Sequence, residues 1–336
     1  VKAYRARTGT MPSAVTYTSR IRDSGVSFGP ITPLVVEIED GASAVDQASV
    51  KLLVDGSPVA ATVSKAGTKT TATYSPNIAT PWPSARTLAV KVQYSEAGGV
   101  SYSGDLNVPI STFAQIPAAL ATAVGTGATP GMKWRTYQTA AGHGTVISGA
   151  ENVLAGGNGP NIADLSAATG GLFDITWVNM DELAAAQGNF TANAAAPQDV
   201  PEELLPGIPG TTGSTDNIAA ECLTYLELQP SVYQMVVNSD DGFEVTTGIK
   251  SANVADMKFL SLGRFDAGRG AADTVFYFTV TQPGVYFFRL LWFEGGGGAN
   301  VEWFTLNPNG SRALVNGTQT GSIKAYRTRT VAEPTL

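Results

Sequence analysis

The run Leu88-Ala-Val-Lys-Val-Gln-Tyr94 alternates apolar with polar or small residues, the period of a strand that buries one face. Segments of similar length recur along the chain. Residues 34–39, 49–54, 60–63, 69–74 and 105–110 follow this habit early. Residues 132–138, 218–228, 232–237, 243–246, 274–280, 285–293, 299–306 and 323–327 follow it later. Between them lie turn residues, and 37 glycines with 19 prolines leave little room for long helices. Many short strands with frequent turns constrain the chain to an all-β fold, expected as two β-sandwich domains with a short helical connector.

At 336 residues the chain exceeds the size at which a single core keeps growing, so two domains are expected. The first spans about 28–111, preceded by an N-terminal strand segment at 1–27. Six or seven short strands in that length fit an immunoglobulin-like sandwich, with Asp55-Gly56 as its clearest hairpin turn. The run Val45-Asp-Gln-Ala-Ser-Val-Lys-Leu-Leu-Val-Asp-Gly56 resembles bacterial Ig-like domains, which implies a spacer or stalk. Residues 112–130 read as a connector, with a short helix from Ile116 to Val124 stopped by Gly125. The second domain is expected over 131–330, followed by a tail at 331–336. Within it, Asp181 to Gln187 is read as one or two helical turns, and the Pro- and Gly-rich residues 201–213 as a surface excursion.

Composition narrows the partners. Charged residues are only 15% and the net charge is −7, which argues against phosphate backbones and anionic membranes as ligands. No apolar run approaches the ~20 residues a membrane-spanning helix needs. Cys222 is the only cysteine, so no intrachain disulfide forms. A start at Val1 rather than Met is consistent with removal of a targeting segment. Low cysteine suits a surface protein as well as a cytosolic one.

The ends of the chain share a sequence. Lys2-Ala-Tyr-Arg-Ala-Arg-Thr8 recurs as Lys324-Ala-Tyr-Arg-Thr-Arg-Thr330, six identities in seven positions, with Val1 matching Ile323. Chance agreement is the weaker explanation. An exposed strand at each end could add to a neighbouring sheet edge and join subunits into a homo-oligomer or polymer. Lys2, Tyr4, Arg5, Arg7, Lys324, Tyr326, Arg327 and Arg329 are the candidate joining residues.

Asn238-Ser-Asp-Asp-Gly242 and, some fifty residues on, Glu294-Gly-Gly-Gly-Gly-Ala-Asn300 carry the clearest chemistry. Adjacent side chains on a strand point to opposite faces, so Asp240 and Asp241 share a cation only if the backbone between them turns sharply. Gly242 permits that turn, and Gly295, Gly296, Gly297 and Gly298 let another group approach closely. An Asp-Gly hairpin without metal is the competing reading. Tyr233–Val245, Gly284–Leu290 and Glu294–Phe304 together resemble the PA14 β-sandwich family, over roughly 131–327. In that family's yeast-adhesin branch an Asp-Asp pair joined by a cis peptide holds calcium, helped by a later loop. The resemblance therefore implies Asp240 and Asp241 as calcium ligands, Glu294 as a third, and Gly295 to Gly298 with Asn300 as the ligand loop. It is also the resemblance that implies a setting that is secreted or on a bacterial cell surface. Where those adhesins carry asparagine and often an aromatic residue, this loop has glycines, so ring stacking on a sugar is missing there.

Catalytic constellations are sparse. His143 is the only histidine, which excludes a multi-histidine metal site, and Cys222 reads as a buried small hydrophobe. Glu244, Glu294 and Glu302 could line one cleft, though nothing in their spacing requires it. The expected function is a non-enzymatic extracellular structural or adhesive protein, a repeating subunit joined through its terminal strands. The alternative is a calcium-dependent carbohydrate-binding module that recognises surface glycan.

Overall fold

The computed structural model describes residues 14–16, 28–77, 80–182, 187–190, 200, 202–307 and 310–335, and every structural statement below concerns these. The chain forms two compact units, Val1–Thr112 and Phe113–Leu336. Strands dominate, and the two α-helices, Ile147–Leu154 and Val254–Met257, are short. The fold is all-β.

The first unit holds two four-stranded antiparallel sheets. One pairs Ala14–Thr16, Leu34–Glu39, Lys69–Tyr74 and Thr62–Ala66 in that spatial order; the other pairs Ser57–Val59, Lys51–Val54, Thr87–Ser95 and Ser101–Pro109. Alternation does the sorting. In Thr87–Ser95, Leu88, Val90, Val92 and Tyr94 are buried while Thr87, Ala89, Lys91 and Gln93 face water. The Asp55-Gly56 turn joins Lys51–Val54 to Ser57–Val59, and both of its residues have positive φ, 50° and 81°, as a two-residue hairpin with the right twist requires.

In the second unit, two seven-stranded sheets share one core. Sheet one runs Phe173–Ile175, Met132–Gln138, Ile218–Leu228, Gly284–Glu294, Gly242–Gly248 and Leu260–Phe265, with Ala325–Tyr326 also on Ile218–Leu228. Sheet two runs Glu203–Leu204, Asn179–Asp181, Asn300–Leu306, Ser231–Asp240, Ala272–Val280 and Ala114–Gln115, with Arg312–Leu314 also on Asn300–Leu306. Trp134, Phe288, Leu290 and Trp292 from sheet one meet Met235, Val237, Val301 and Trp303 from sheet two in that core. Both Trp292 and Trp303 are fully buried, so neither offers a ring to a ligand.

Sheet one is covered on its outer face as well. All eleven residues of Gly284–Glu294 are buried: on the outer face the helix Ile147–Leu154 lies against Ala219, Leu291 and Phe293, while Met257 and Tyr326 pack against Val285 and Phe287. A two-sided environment explains why this strand carries apolar residues in both registers.

Three local expectations change. Residues 112–130 do not stand apart as a connector: Ala114–Gln115 pairs in parallel with Phe278 and Thr279, and only Ala118–Leu120 is helical, as a 3-10 turn. Pro117 starts that turn, but its φ/ψ of −58°, 132° is not helical, and Ala121 is already extended. Asn179–Asp181 is a strand rather than the start of a helix, because its backbone pairs with Asn300–Glu302. Residues 183–186 of the expected helical turns lie outside the described residues.

Candidate cation site at one end of the sandwich

The chain crosses between the two sheets of the second unit twice at the same end. Ser231–Asp240 in sheet two gives way at once to Gly242–Gly248 in sheet one, and Gly284–Glu294 in sheet one passes through residues 295–299 to Asn300–Leu306 in sheet two. The two crossings face each other through the register: Asp240 pairs with Asn300, and Gly242 with Phe293. Residues some fifty positions apart in sequence therefore meet.

Three carboxylates converge there. Asp240, Asp241 and Glu294 each place an oxygen within 4.8 Å of the others. The Asp240–Asp241 peptide is cis. Backbone and side-chain bonds fix this corner: the Asp241 N–H donates to the Phe293 carbonyl at 3.1 Å, the Trp292 Nε1–H to the Asp240 carbonyl at 3.1 Å, and the Ser239 hydroxyl to the Asp241 carbonyl at 2.9 Å. Asp241 accepts from two backbone N–H groups, Arg269 at 2.7 Å and Gly295 at 3.0 Å. The Arg269 side chain is taken up by Ser239 and Thr274 and rests 4.1 Å above the Phe265 ring.

Glu294 is fully buried with no cation paired to it among the described residues; its polar neighbours are the Gly296 N–H, which favours the charged form, and the Asp240 carboxyl. Both polar atoms of the buried Asn300 amide lack a hydrogen-bond partner. Burial, then the charges of Asp241 and Asp240, push the Glu294 carboxyl up to about 9. Asp240 is raised to about 6, by burial first and Asp241 second. Among the described residues none of the three carboxylates forms an ion pair.

Like charges held together out of water, with unmade hydrogen bonds beside them, favour a cation. A divalent ion would reverse both causes of the raised pKa at once. The donor set is oxygen only, which suits calcium or magnesium rather than a thiolate- or imidazole-seeking metal. Calcium takes about 6–8 oxygens, and the Asn300 Oδ1 across the ladder from Asp240 is the next available protein oxygen. The residues present fit such an ion.

The glycine loop stands beside this cluster. A Cβ on Gly295 would lie 2.2 Å from Thr145 Cγ2, and one on Gly298 would lie 2.5 Å from Gln187 Nε2 and 3.3 Å from Asp240 Oδ2. Close approach, more than flexibility, is what requires glycine at these two positions. Gly296 and Gly297 are exposed, and the Gly297 N–H points to Asp216 Oδ1 at 3.4 Å.

Sequence reasoning missed the rest of the wall: Thr145, Gln187, Asp216 and Arg269. No periodicity marks them, since each arrives from a loop far away in sequence. His143, weighed only as a catalytic residue, is buried; its Nε2 lies 2.8 Å from the Glu294 carbonyl and its ring packs edge-on against Phe293. Cys222 lies in the main core with its thiol pKa raised by burial and by Glu221. Glu244 and Glu302 sit on different sheets: Glu244 accepts from the Ser261 hydroxyl, and Glu302 from Asn189 and Phe190.

Of the candidate joining residues, Lys2, Tyr4, Arg5 and Arg7 lie outside the described residues. The C-terminal set is already engaged within its own unit. Ala325 and Tyr326 pair with Leu226 and Tyr225, Arg327 pairs with Asp174 at 3.1 Å, and Arg329 with Glu333 at 2.7 Å. Lys324 is exposed, 3.6 Å from Glu227.

No family model matches the sequence, and no curated protein matches it. Solved structures similar to this chain include a PA14 sugar-binding domain from an RTX adhesin, 18% identical over 56% of this chain and 95% of its own, with a TM-score of 0.36. The PA14 domain of the MpAFP antifreeze protein is 15% identical over 60% of this chain and 94% of its own, with a TM-score of 0.38. The epithelial adhesin 9 A domain from Candida glabrata, solved with Galβ1-4GlcNAc, is 11% identical over 65% of this chain and 98% of its own, with a TM-score of 0.37.

Proposed function

We propose that the second unit is a calcium-dependent carbohydrate-binding module of an extracellular, non-enzymatic adhesive protein on a bacterial surface, with the first unit as an Ig-like spacer. The observation that carries this reading is the convergence of Asp240, Asp241 and Glu294 within 4.8 Å, with Glu294 fully buried and the Asn300 amide across from Asp240 unpartnered. A cation held there would offer its remaining coordination positions to ligand oxygens. Vicinal hydroxyls of a sugar are neutral oxygen donors of the right hardness. Gly296 and Gly297 are exposed at the loop tip, and the buried Trp292 and Trp303 leave recognition to polar groups. Weak, cation-dominated binding of glycan hydroxyls is the consequence.

Titration calorimetry with calcium, then a glycan array with and without chelator, tests this. One calcium per chain and glycan signals that vanish with chelator are expected; calcium-independent glycan binding, or no calcium uptake, overturns it.

A second reading has its own observation. The repeat of six identities in seven between residues 2–8 and 324–330 favours a repeating structural subunit of a surface or fibre assembly. Electron microscopy of the purified chain at high concentration tests it, with ordered polymers expected and monodisperse particles contradicting it.

A further inference from the structure

The C-terminal copy of the repeat shows what this sequence is for. Residues 323–330 close the second unit. Ile323 and Ala325 are buried in its main core. The Tyr326 ring covers Gly127 so closely that a Cβ there would lie 2.2 Å from it. Arg327 bonds Asp174, and Arg329, with its side chain 2% exposed, bonds Glu333 and lies 5.0 Å over the Tyr225 ring. The backbone is zipped to residues 126–131: the N–H groups of Gly131, Arg327, Ala128 and Thr330 donate to the carbonyls of Ala325, Thr129, Thr328 and Thr126 at 2.8–3.0 Å.

The N-terminal copy keeps the tyrosine, both arginines and the buried alanine that make the main contacts in this cleft. Val1 stands for Ile323, Ala3 for Ala325, Tyr4 for Tyr326, Arg5 for Arg327, Arg7 for Arg329 and Thr8 for Thr330. The two differences fall where they cost least. One is the Ile-to-Val change, and the other is Ala6 opposite Thr328, whose side chain is exposed. The exposed Lys324 and Thr330 are matched as well, by Lys2 and Thr8, so the repeat covers the whole closing segment.

We infer that Val1–Thr8 is a closing strand for the second unit of another copy of this sequence, seated in the cleft lined by Gly127, Gly131, Asp174, Tyr225 and Glu333. The inference rests on the repeating-subunit reading and names its partner and its contact. The chain's own 323–330 fills the cleft, so entry is an exchange of equivalent strands. Nearly every contact is reproduced, and the tethered strand's advantage is its effective concentration, on the order of millimolar.

Two measurements on the full chain test this. Thr129 and Thr328 are exposed neighbours, their hydroxyl oxygens 3.5 Å apart, so Ala6→Cys with Thr129→Cys, oxidised at high protein concentration, is expected to give disulfide-linked multimers. Thr328→Cys with Thr129→Cys is the control and links within one chain; the native Cys222 is buried and does not compete. Separately, a Val1–Thr8 peptide is expected to raise the melting temperature of the Tyr326→Ala chain with increasing concentration, and the same peptide with Tyr4→Ala is not.

Absence of both the cross-link and the peptide effect overturns the inference, even if the chain polymerises by another contact. Should the peptide act while the native chain stays monomeric at every concentration, the strand assignment stands and the repeating-subunit reading fails.

Discussion

Two clusters of buried carboxylates lie on or beside the same strand, Gly284–Glu294, and the chain treats them oppositely. Around Arg289, on the outer face of sheet one, the protein supplies its own cations. Arg289 Nε reaches Glu221 at 2.6 Å, its two Nη atoms grip Glu151 at 2.7 and 2.9 Å, and Arg135 and Lys258 complete the network at 2.8 Å each. Burial pushes the Glu151 carboxyl up, but Arg289 and Lys258 outweigh it and hold the group below its ordinary range. Around Glu294, at the edge of the inner face, no described cation forms an ion pair with the carboxylates, and the Glu294 carboxyl rises to about 9. That the fold pairs its buried acids in one place and not in the other is the contrast on which the proposed cation site rests.

The difference breaks first at Arg289. Replacing it by leucine leaves Glu221 to Arg135 alone and Glu151 to Lys258 alone. It should cost about 2–3 kcal/mol of stability, the usual loss for hydrogen bonds to charged groups and less than for a fully uncompensated buried charge. Denaturant titration measures it; a loss under 1 kcal/mol would mean the network is not buried in solution. The opposite holds at the candidate cation site. Asp241→Asn should weaken calcium binding at least tenfold by calorimetry, while the calcium-free protein loses less stability than the calcium-loaded one, because relief of like-charge repulsion offsets the one backbone N–H that the amide can no longer accept. An equal loss of stability with and without calcium would make Asp241 structural instead.

A third carboxylate sharpens the contrast through pH. Burial, then the charges of Asp181 and Glu302, raise Glu202 from an ordinary 4.5 to about 8. The folded state therefore holds a proton that the unfolded state has released. That contribution to stability is complete below pH 4.5 and is lost as pH rises through about 8. Melting temperature should fall between pH 5 and 9, and Glu202→Gln should flatten the fall; an unchanged slope would assign it elsewhere. The smallest effect is at the rim. Lys258 is partly exposed, and Lys258→Ala should cost at most about 1 kcal/mol, as solvent-screened pairs do. A larger loss would show that solvent does not screen the Lys258–Glu151 pair.

Legibility in the sequence follows the range of the forces involved. Alternation in Leu88–Tyr94 and the Asp55-Gly56 turn are local, and both are read directly from neighbouring residues. The Ile218–Leu228 and Gly284–Glu294 strands could be located but their environment could not, because the helix Ile147–Leu154 that covers their outer face is remote in sequence. Arg289 looked like one more strand residue. Its partners Glu151 and Glu221 lie 138 and 68 positions away, and no spacing rule links them.

The candidate cation site divides the same way. Asp240, Asp241 and Glu294 were visible as residue types suited to hard cations, and the glycine run as a place of close approach. Which groups surround them was not: Thr145, Gln187 and Asp216 reach the loop only because two crossings between sheets occur at one end of the sandwich.

By itself, then, the sequence determined the strand content, the turns and the identity of the acids, since these depend on neighbours in the chain. Tertiary structure decided which acids would be paired and which left bare. Charge neutralisation acts through space over a few ångströms, and only the packing of distant strands sets those distances.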